Sequence, residues 1–356
     1  MSVERVVLVA GTRPEFVKLH PVALALSAVG MNSVLVTTEQ HWSPTMKGAF
    51  LEELPWPCAV ESLGITSREP LALVSEILRT LPTHLRARDL VVIEGDTTSV
   101  LAAAIVANKL LLPLAHVEAG LRSYDLRMPE EHNRRVCDHL SDLLFAPTEV
   151  DAQHLRDEQC PGSVIVTGNT VLDAVRQNMS RARPAEKIGE DFVLVTLHRQ
   201  ENVDSPEFLR EIAEFLRCVQ ARCVFPVHPR TVDKLKSHGL WDAIVGLPNV
   251  DVREPMGYLT FLDAMRGSRV IVTDSGGIQE EATAPEIRRP AVVLRRSTER
   301  PAAVDAGFSI LAPVVASTLV TAVTDLSWFR PTPASPFGDG HAAEAIVRSL
   351  TNAQRI

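Results

Sequence analysis

The chain has 356 residues, of which 46% are hydrophobic and 22% are charged; these values are typical of a globular protein large enough for two domains and exclude a disordered chain. Its formal net charge of -8 provides no overall positive field, which argues against nucleic acid or an anionic membrane as a partner. The apolar runs are short and no signal peptide is apparent, so we expect a cytoplasmic protein without membrane segments.

The cysteines are scattered along the chain, and no two have the CxxC spacing of a redox motif or a zinc site. Apolar neighbours favour reduced thiols that pack in the interior. We therefore expect free structural thiols and no bound metal. The cysteines are Cys58, Cys137, Cys160, Cys218 and Cys223.

Short β-branched runs alternate with segments of helical periodicity through the first half of the chain. The strands are predicted at residues 5–10, 33–37, 90–93, 114–117 and 164–167. Such alternation predicts a parallel sheet covered by helices. Ligands of such sheets bind at the carboxyl ends of the strands, so the residues after each strand are the candidates for a site.

The second half repeats this scheme after a polar, basic segment at residues 181–187, which is the candidate interdomain linker. Its strands are predicted at residues 192–197, 223–227, 250–253, 270–273 and 291–294. The predicted domains are residues 1–178 and 179–340, each with a Rossmann-like open sheet. A helix within residues 341–356 follows a proline-rich stretch and is expected to pack back on the first domain.

The first predicted strand runs into Gly11, and Pro14 suits the first turn of a helix. Arg13 and Lys18 lie near the positive end of that helix, where an anion would be stabilised. The alternative is an ordinary helix start with solvated charges. No GxGxxG motif is present, which counts against a dinucleotide site.

Asp96 and Glu118 each follow a predicted strand, so their carboxylates are expected at one edge of the sheet. Either could instead cap a helix. Further along, Glu130 and Glu131 follow Pro129 ahead of a predicted helix that carries Leu140, Leu143 and Leu144. Helix capping and catalysis are equally compatible with that segment.

In the second domain, His198 ends a strand beside Glu201, and His228 repeats the placement one strand later. An imidazole at a strand tip titrates near working pH, which favours an acid/base role over a structural one. The segment around Ser275, Gly276 and Gly277 offers a hydroxyl and unobstructed backbone N–H groups to phosphate oxygens.

Arg300 follows the last of these strands and adds a cation at the same edge. Both domains thus supply cations, and a diphosphate is the anion that they predict.

Taken together, the motifs resemble those of the UDP-N-acetylglucosamine 2-epimerases over nearly the whole chain. They are Gly11-Thr12-Arg13-Pro14-Glu15, Gly95-Asp96-Thr97, His116-Val117-Glu118-Ala119-Gly120-Leu121-Arg122, Pro129-Glu130-Glu131-His132-Asn133-Arg134, Thr167-Gly168-Asn169-Thr170, His198-Arg199-Gln200-Glu201-Asn202, Asp274-Ser275-Gly276-Gly277-Ile278-Gln279-Glu280-Glu281, Thr298-Glu299-Arg300-Pro301 and Pro336-Phe337-Gly338-Asp339-Gly340.

The resemblance implies an α/β protein of GT-B architecture, in which two Rossmann-like domains face each other across a cleft and the second holds UDP. It implies a cytoplasmic, homodimeric isomerase that acts on a UDP-amino sugar and needs neither cofactor nor metal. The implied catalytic residues are Asp96, Glu118, Glu130 and His198. The implied substrate-binding residues are Arg13, Lys18, Arg134, His228, Phe261, Ser275, Gly276, Gly277, Glu281 and Arg300.

The chain also departs from the family pattern. Ala302 stands where a glutamate is usual, and residues 282–290 differ from the usual run. Glu39 replaces the glycine of a Thr-Gly-Gln-His motif, and Trp42 follows that motif; many bacterial members use this segment to bind a second, activating substrate molecule. A hydrolysing epimerase, a GT-B glycosyltransferase and an inactive nucleotide-sugar binder remain alternatives.

Overall fold

The computed structural model describes residues 3–38, 51–67, 69–183 and 188–353. The chain divides into two compact units, the first formed by Met1–Gln177 and Phe337–Ile356 and the second by Asn178–Pro336. The chain passes into the second unit before the basic segment at residues 181–187, of which residues 184–187 lie outside the described part. The segment from Glu39 to Pro44 also lies outside it.

The first unit contains a seven-stranded sheet with the order β3-β2-β1-β4-β5-β6-β7, and every pairing in it is parallel. Its strands are β1 (Arg5–Ala10), β2 (Ser33–Thr37), β3 (Ala59–Ser62), β4 (Asp89–Glu94), β5 (Leu114–Val117), β6 (Leu143–Ala146) and β7 (Ser163–Val166). Its helices are α1 (Arg13–Ala28), α2 (Pro70–Thr80), α3 (Thr98–Lys109), α4 (Pro129–Leu140), α5 (Glu149–Asp157), α6 (Thr170–Asn178) and α15 (Ala342–Ala353). Helix α15 packs against α1.

The second unit contains a six-stranded parallel sheet with the order β10-β9-β8-β11-β12-β13. Its strands are β8 (Val193–Thr196), β9 (Cys223–Pro226), β10 (Val250–Arg253), β11 (Val270–Thr273), β12 (Ala291–Val293) and β13 (Ser309–Leu311). Its helices are α7 (Gln200–Val203), α8 (Pro206–Cys218), α9 (Pro229–Ser237), α10 (Trp241–Val245), α11 (Tyr258–Gly267), α12 (Gly276–Glu281), α13 (Pro301–Asp305) and α14 (Ala316–Thr324).

The strand order of both sheets reverses at one point, between β1 and β4 in the first and between β8 and β11 in the second. In open parallel sheets, ligands bind outside the carboxyl ends of the strands at such a switch point. Gly11 and Gly95 follow the two strands at the first switch point, and His198 and Asp274 follow those at the second. The two Rossmann-like sheets expected from the sequence are therefore confirmed, and candidate residues lie at both switch points.

The predicted strands are confirmed with shifts of one residue at several ends. One prediction is wrong, because Leu143 and Leu144 do not belong to the helix that carries Leu140. That helix, α4, ends at Leu140, and the two leucines begin β6. Strands β3 and β13 were not predicted, because Ala59–Ser62 and Ser309–Leu311 lie at the sheet edges and lack a buried apolar run. None of the helices in the described part of the chain is long and apolar enough to cross a membrane.

Candidate active site

The loop between β1 and α1 is held by Glu15, whose carboxylate accepts hydrogen bonds from the backbone N–H groups of Gly11 and Thr12, the latter at 3.1 Å. Glu15 is buried, and burial raises the pKa of its carboxyl group. Arg13 is half-buried at the first position of α1. Lys18 is buried one turn further on. The cation expected near this helix start is therefore in the protein interior and not in solvent.

Lys18 lies between two carboxyl groups at the ends of adjacent strands. Its Nζ forms an ion pair with Glu118 and lies 3.1 Å from Oε1 of Glu94. All three side chains are at most 5% exposed. Burial raises the pKa of Glu94 well above its ordinary value, and the neighbouring Glu118 adds to the increase while Lys18 opposes it. Glu94, which the sequence analysis left out of the site, is thus a central member of it.

Glu118 has a positive φ of 66°, in the left-handed region that residues other than glycine rarely adopt. Asn169 donates a hydrogen bond from Nδ2 to Oε1 of Glu118 at 3.3 Å. Glu118 therefore does not cap a helix, and its unusual backbone is a feature often found at functional sites.

Asp96, two residues after β4, accepts hydrogen bonds from Nη2 and Nε of Arg134 at 2.5 and 3.1 Å. The carboxylate is 26% exposed, whereas Arg134 is nearly buried. The cap of α3 is Thr97, whose Oγ1 accepts from the N–H of Val100 at 3.4 Å. The capping role that the sequence left open for Asp96 thus belongs to its neighbour.

The two glutamates in the first turn of α4 differ in their exposure to solvent. Glu130 is exposed, whereas Glu131 is fully buried. Glu131 accepts hydrogen bonds from the N–H and hydroxyl of Ser123, both at 2.9 Å, and pairs with Arg134 at 2.9 Å. Glu131 therefore fixes the loop before α4, and Glu130 is the carboxylate that faces solvent.

A continuous series of ion pairs, with a histidine–carboxylate contact at its end, connects Asp96 after β4 to His116 on β5. Consecutive members lie 2.5 to 3.6 Å apart. His116 ends the series and also contacts the Gly95 carbonyl oxygen through Nε2 at 2.8 Å. Because that oxygen can only accept, Nε2 carries a hydrogen. In order, the series consists of Asp96, Arg134, Glu131, Arg135, Glu158, Arg122, Asp138 and His116.

In the second unit, the loop after β8 is organised by Asp274, which is completely buried. Its carboxylate accepts hydrogen bonds from the backbone N–H groups of His198 at 3.1 Å and Arg199 at 3.0 Å, and from Asn202 Nδ2 at 3.2 Å. The His198 side chain is 45% exposed, with Nε2 at 3.9 Å from Asp274. Asp274 thus positions the imidazole predicted from the sequence.

Arg300 is buried beside the Ser275-Gly276-Gly277 turn. It pairs with Glu299 through Nη1 and with Glu280 through Nε, the latter at 3.0 Å. A Cβ on Gly276 would lie 2.6 Å from Nη1 of Arg300, whereas a Cβ on Gly277 would meet no atom within 4 Å. A side chain at position 276 would therefore displace Arg300, whereas the space at Gly277 is open.

The remaining predicted binding residues lie on separate elements of this unit. His228 is exposed and caps α9, accepting from the N–H of Arg230 at 3.3 Å. Phe261 is half-buried on α11. Glu281 is buried at the end of α12.

Among the described residues, one group could offer three ligands to a metal ion: His139, Glu158 and Cys160. Glu158, however, forms ion pairs with Arg122 and Arg135 at 2.7 and 3.1 Å. These guanidinium groups oppose the approach of a divalent cation. The group therefore does not constitute a metal site.

Three buried acids of the site were not among the residues predicted from the sequence, namely Glu94, Asp274 and Glu299. Glu94 ends β4, Asp274 directly follows β11, and Glu299 lies in the loop after β12. An acidic residue at the carboxyl end of a parallel strand is itself a signal of a functional edge. What could not be read from the sequence is that each faces inward onto a cation or a backbone N–H group.

The fold and these residues define a class: an α/β enzyme with two Rossmann-like units, one with a carboxylate and ammonium cluster and one with a glycine turn beside a buried arginine. A sequence profile described as UDP-N-acetylglucosamine 2-epimerase matches residues 25–351. The chain belongs to the UDP-N-acetylglucosamine 2-epimerase family.

Individual relatives cover almost the whole chain. The UDP-N-acetylglucosamine 2-epimerase of Methanocaldococcus jannaschii is 38% identical over 366 residues, covering 97% of this chain and 98% of that protein. The UDP-2,3-diacetamido-2,3-dideoxy-D-glucuronate 2-epimerase of Pseudomonas aeruginosa is 34% identical over 364 residues, covering 97% and 99%. The crystal structure of the M. jannaschii enzyme in complex with UDP-GlcNAc and UDP has a TM-score of 0.90 at 39% identity, covering 98% of this chain and 99% of that one.

Proposed function

We propose that this chain interconverts UDP-N-acetylglucosamine and UDP-N-acetylmannosamine by inverting carbon 2 of the sugar. The observation that carries the proposal is the buried cluster of Lys18 with Glu94 and Glu118, in a chain that belongs to this family over nearly its full length. Such a cluster provides carboxyl groups in a setting that controls their protonation, which general acid/base catalysis requires.

The chemistry begins with departure of the leaving group. Carbon 2 carries an amide substituent and is not adjacent to a carbonyl group, so its proton becomes acidic only when the bond from carbon 1 to the UDP oxygen breaks. A carboxylate then removes that proton, and carbons 1 and 2 become joined by a double bond in a 2-acetamidoglucal. Readdition of the UDP oxygen to carbon 1, with protonation of carbon 2 from the opposite face, gives the epimer.

Stabilisation of the departing diphosphate falls to the second unit. Arg300 is held against the Gly276 backbone by Glu299 and Glu280, and a fixed guanidinium binds phosphate oxygens with little loss of entropy. The open space at Gly277 gives phosphate oxygens access to backbone N–H groups. We assign the ribose to Glu281, the uracil to Phe261, and further contacts to His228 and Ser275.

The proton transfers fall to the first unit. Two of the candidate carboxyl groups follow neighbouring strands. Glu118 contacts Lys18 and Asn169. Asp96 is paired with Arg134. Glu130 is the third candidate and is exposed at the start of α4. We assign to Arg13 the electrostatic stabilisation of the negatively charged substrate. We assign to His198 a proton transfer near the leaving group.

Nuclear magnetic resonance of the protein with UDP-N-acetylglucosamine in deuterated water tests the proposal. We expect UDP-N-acetylmannosamine with deuterium at carbon 2, and deuterium in the recovered substrate as well. Accumulation of free UDP and N-acetylmannosamine would identify a hydrolysing enzyme instead. Turnover only of UDP-2,3-diacetamido-2,3-dideoxy-D-glucuronate, the substrate in the name of the P. aeruginosa relative, would overturn the choice of sugar.

Substitutions test the acid/base residues under the same conditions. We expect Asp96→Asn, Glu118→Gln and Glu130→Gln each to lower kcat by roughly 10²- to 10⁴-fold, the usual contribution of a general acid or base. Glu149→Gln is the control, because Glu149 is 70% exposed and pairs with Arg156 on the surface of α5. A variant with unchanged exchange at carbon 2 would remove that residue from the proton-transfer steps.

We also propose a cytoplasmic homodimer, as the family resemblance implies. Light scattering coupled to size-exclusion chromatography measures the mass directly, and a value near the 39.0 kDa of one chain would contradict the dimer.

A further inference from the structure

Two buried carboxyl groups share one ammonium group at the carboxyl ends of β4 and β5. Lys18 contacts both Glu94 and Glu118, and neither carboxyl side chain is more than 4% exposed. Both carboxyl groups contact the same nitrogen atom, so they lie close enough together for each to affect the protonation of the other.

The charges around Glu94 favour retention of one proton by this pair of carboxyl groups. Lys18 and Glu15 face it from α1, and Glu118 faces it from the residue after β5. If both shared carboxyl groups ionised, one ammonium would face two carboxylates, and the buried Glu15 would add to the repulsion. An uncompensated buried charge is strongly unfavourable, so a pair of close carboxyl groups keeps one proton between them.

The donors around the pair indicate which partner is ionised. Glu118 receives the closer contact of Lys18 and a hydrogen bond from Asn169 Nδ2 at 3.3 Å. Glu94 receives the longer of the two Lys18 contacts, at 3.1 Å. Donors favour the charged form of a carboxyl group. Glu118 is therefore the carboxylate, and Glu94 is the neutral acid of the pair.

We propose that Glu94 is a positioning residue that shares one proton with Glu118 across Lys18 and so sets the charge state in which Glu118 meets the substrate. Glu94, Glu118 and Lys18 then carry no net charge at rest. When Glu118 takes the proton from carbon 2, both carboxyl groups are protonated and the cluster gains one positive charge. This catalytic consequence rests on the proposed function, whereas the shared proton does not.

Infrared difference spectroscopy of the resting protein tests the shared proton without any substrate. Glu94→Gln has nearly the same shape as the neutral acid and keeps a hydrogen-bond donor in its amide. At neutral pH, we expect the wild-type minus Glu94→Gln spectrum to contain the C=O stretch of a protonated carboxyl group, shifted in deuterated water. Loss of carboxylate bands without that stretch would overturn the proposal. If Glu94→Gln does not fold, Glu94→Asp replaces it, and the acid band should then shift in frequency; an unshifted band would overturn the proposal.

The pH dependence of carbon 2 exchange tests the catalytic consequence. In the wild type, activity should fall at alkaline pH as the shared proton leaves the pair. Glu94→Gln cannot lose a proton there, so we expect this alkaline limb to move upward by at least about one pH unit. Glu149→Gln, on the surface of α5, is the control and should keep the wild-type profile.

The outcomes separate this inference from the proposed function. An unchanged pH profile in a folded Glu94→Gln protein would remove Glu94 from catalysis. A protein without epimerase activity that still shows the acid band would retain the shared proton and lose the proposed function.

Discussion

At the scale of single residues, the second unit depends on how closely Arg300 approaches the backbone of Gly276. A Cβ added to Gly276 would lie 2.6 Å from Nη1 of Arg300 and 2.9 Å from Oε1 of Glu299. Both side chains belong to a buried set of ion pairs, which they would have to disturb in order to move aside. The neighbouring Gly277 has open space in the same direction.

The two glycines therefore give a matched pair of variants. We expect Gly276→Ala to lower the free energy of unfolding by about 1–3 kcal/mol, as overpacking usually does, and to weaken UDP binding because Arg300 is displaced. Gly277→Ala should keep or raise the melting temperature, since alanine is the better residue in a helix. Thermal denaturation and UDP titration measure both effects. Equal melting temperatures for the two variants would contradict this account of Arg300.

The sequence was sufficient to predict which strands carry the candidate residues, because an acid or imidazole after an apolar run is visible in the sequence. It could not predict which neighbour faces inward. Glu130 and Glu131 are the same type of residue at adjacent positions, yet only Glu131 is buried. Glu94 was hidden for a related reason, since its partners Lys18 and Glu118 come from distant parts of the chain.

At the scale of elements, α5 begins with a buried capping box. The Thr148 hydroxyl and N–H donate to Oδ2 of Asp151 at 2.7 and 3.1 Å, and the N–H of Asp151 donates to Thr148 Oγ1 at 3.3 Å. Burial raises the pKa of Asp151 to about 6 against the lowering effect of the Thr148 hydrogen bonds. The cap therefore carries a pH dependence of its own.

Because the pKa of Asp151 is higher in the folded state than in the unfolded one, the folded state binds more protons between about pH 4 and 6. The stability contributed by the neutral acid is present below pH 4 and is lost as the pH rises through about 6. The free energy of unfolding should therefore fall between pH 4 and pH 7, and we expect this fall to be about 1–3 kcal/mol smaller in Asp151→Asn than in the wild type. Unfolding by urea at pH 4 and pH 7 measures it. Asp157→Asn, on the exposed end of α5, is the control, and an equal decline in both variants would contradict the assignment.

Strand prediction succeeded where β-branched residues fill a buried run, as in β1 and β11. It failed at β6, because Leu140, Leu143 and Leu144 have the spacing of one helical face. The chain turns between them at Ser141, whose hydroxyl donates to the Cys137 carbonyl at 2.7 Å and ends α4. A local hydrogen bond from a side chain to the backbone thus ends the helix despite the helical spacing of the leucines.

At the scale of the whole molecule, the first unit is built from two segments of chain that are separated by the second unit. The returning segment is held by buried apolar side chains on α15, including Ile346, Val347 and Leu350. Its first turn is fixed by Asp173, which accepts from the N–H groups of Ala342 and Ala343 at 3.1 and 2.9 Å. Helix α15 is therefore an integral element of the first unit, with its apolar face buried.

A chain that ends at Pro336 should lose the first unit. Burial of a large apolar side chain contributes about 1.5–3 kcal/mol, so three of them approach the roughly 5–15 kcal/mol that stabilises a domain. Circular dichroism and limited proteolysis should show the first unit unfolded. Arg348→Ala, an exposed position on α15, should leave the full-length protein folded; a stable first unit in the shortened chain would contradict the role of α15.

The split first unit also has a consequence for biosynthesis. Residues up to Gln177 leave the ribosome well before Phe337–Ile356 are translated, whereas the second unit is continuous and can acquire its structure as soon as Pro336 emerges. The amino-terminal half must therefore wait, with the docking surface for α15 uncovered, until Ala342–Ala353 have emerged. Partly folded chains with exposed apolar surface are prone to aggregation in such an interval, and the docking of α15 ends it.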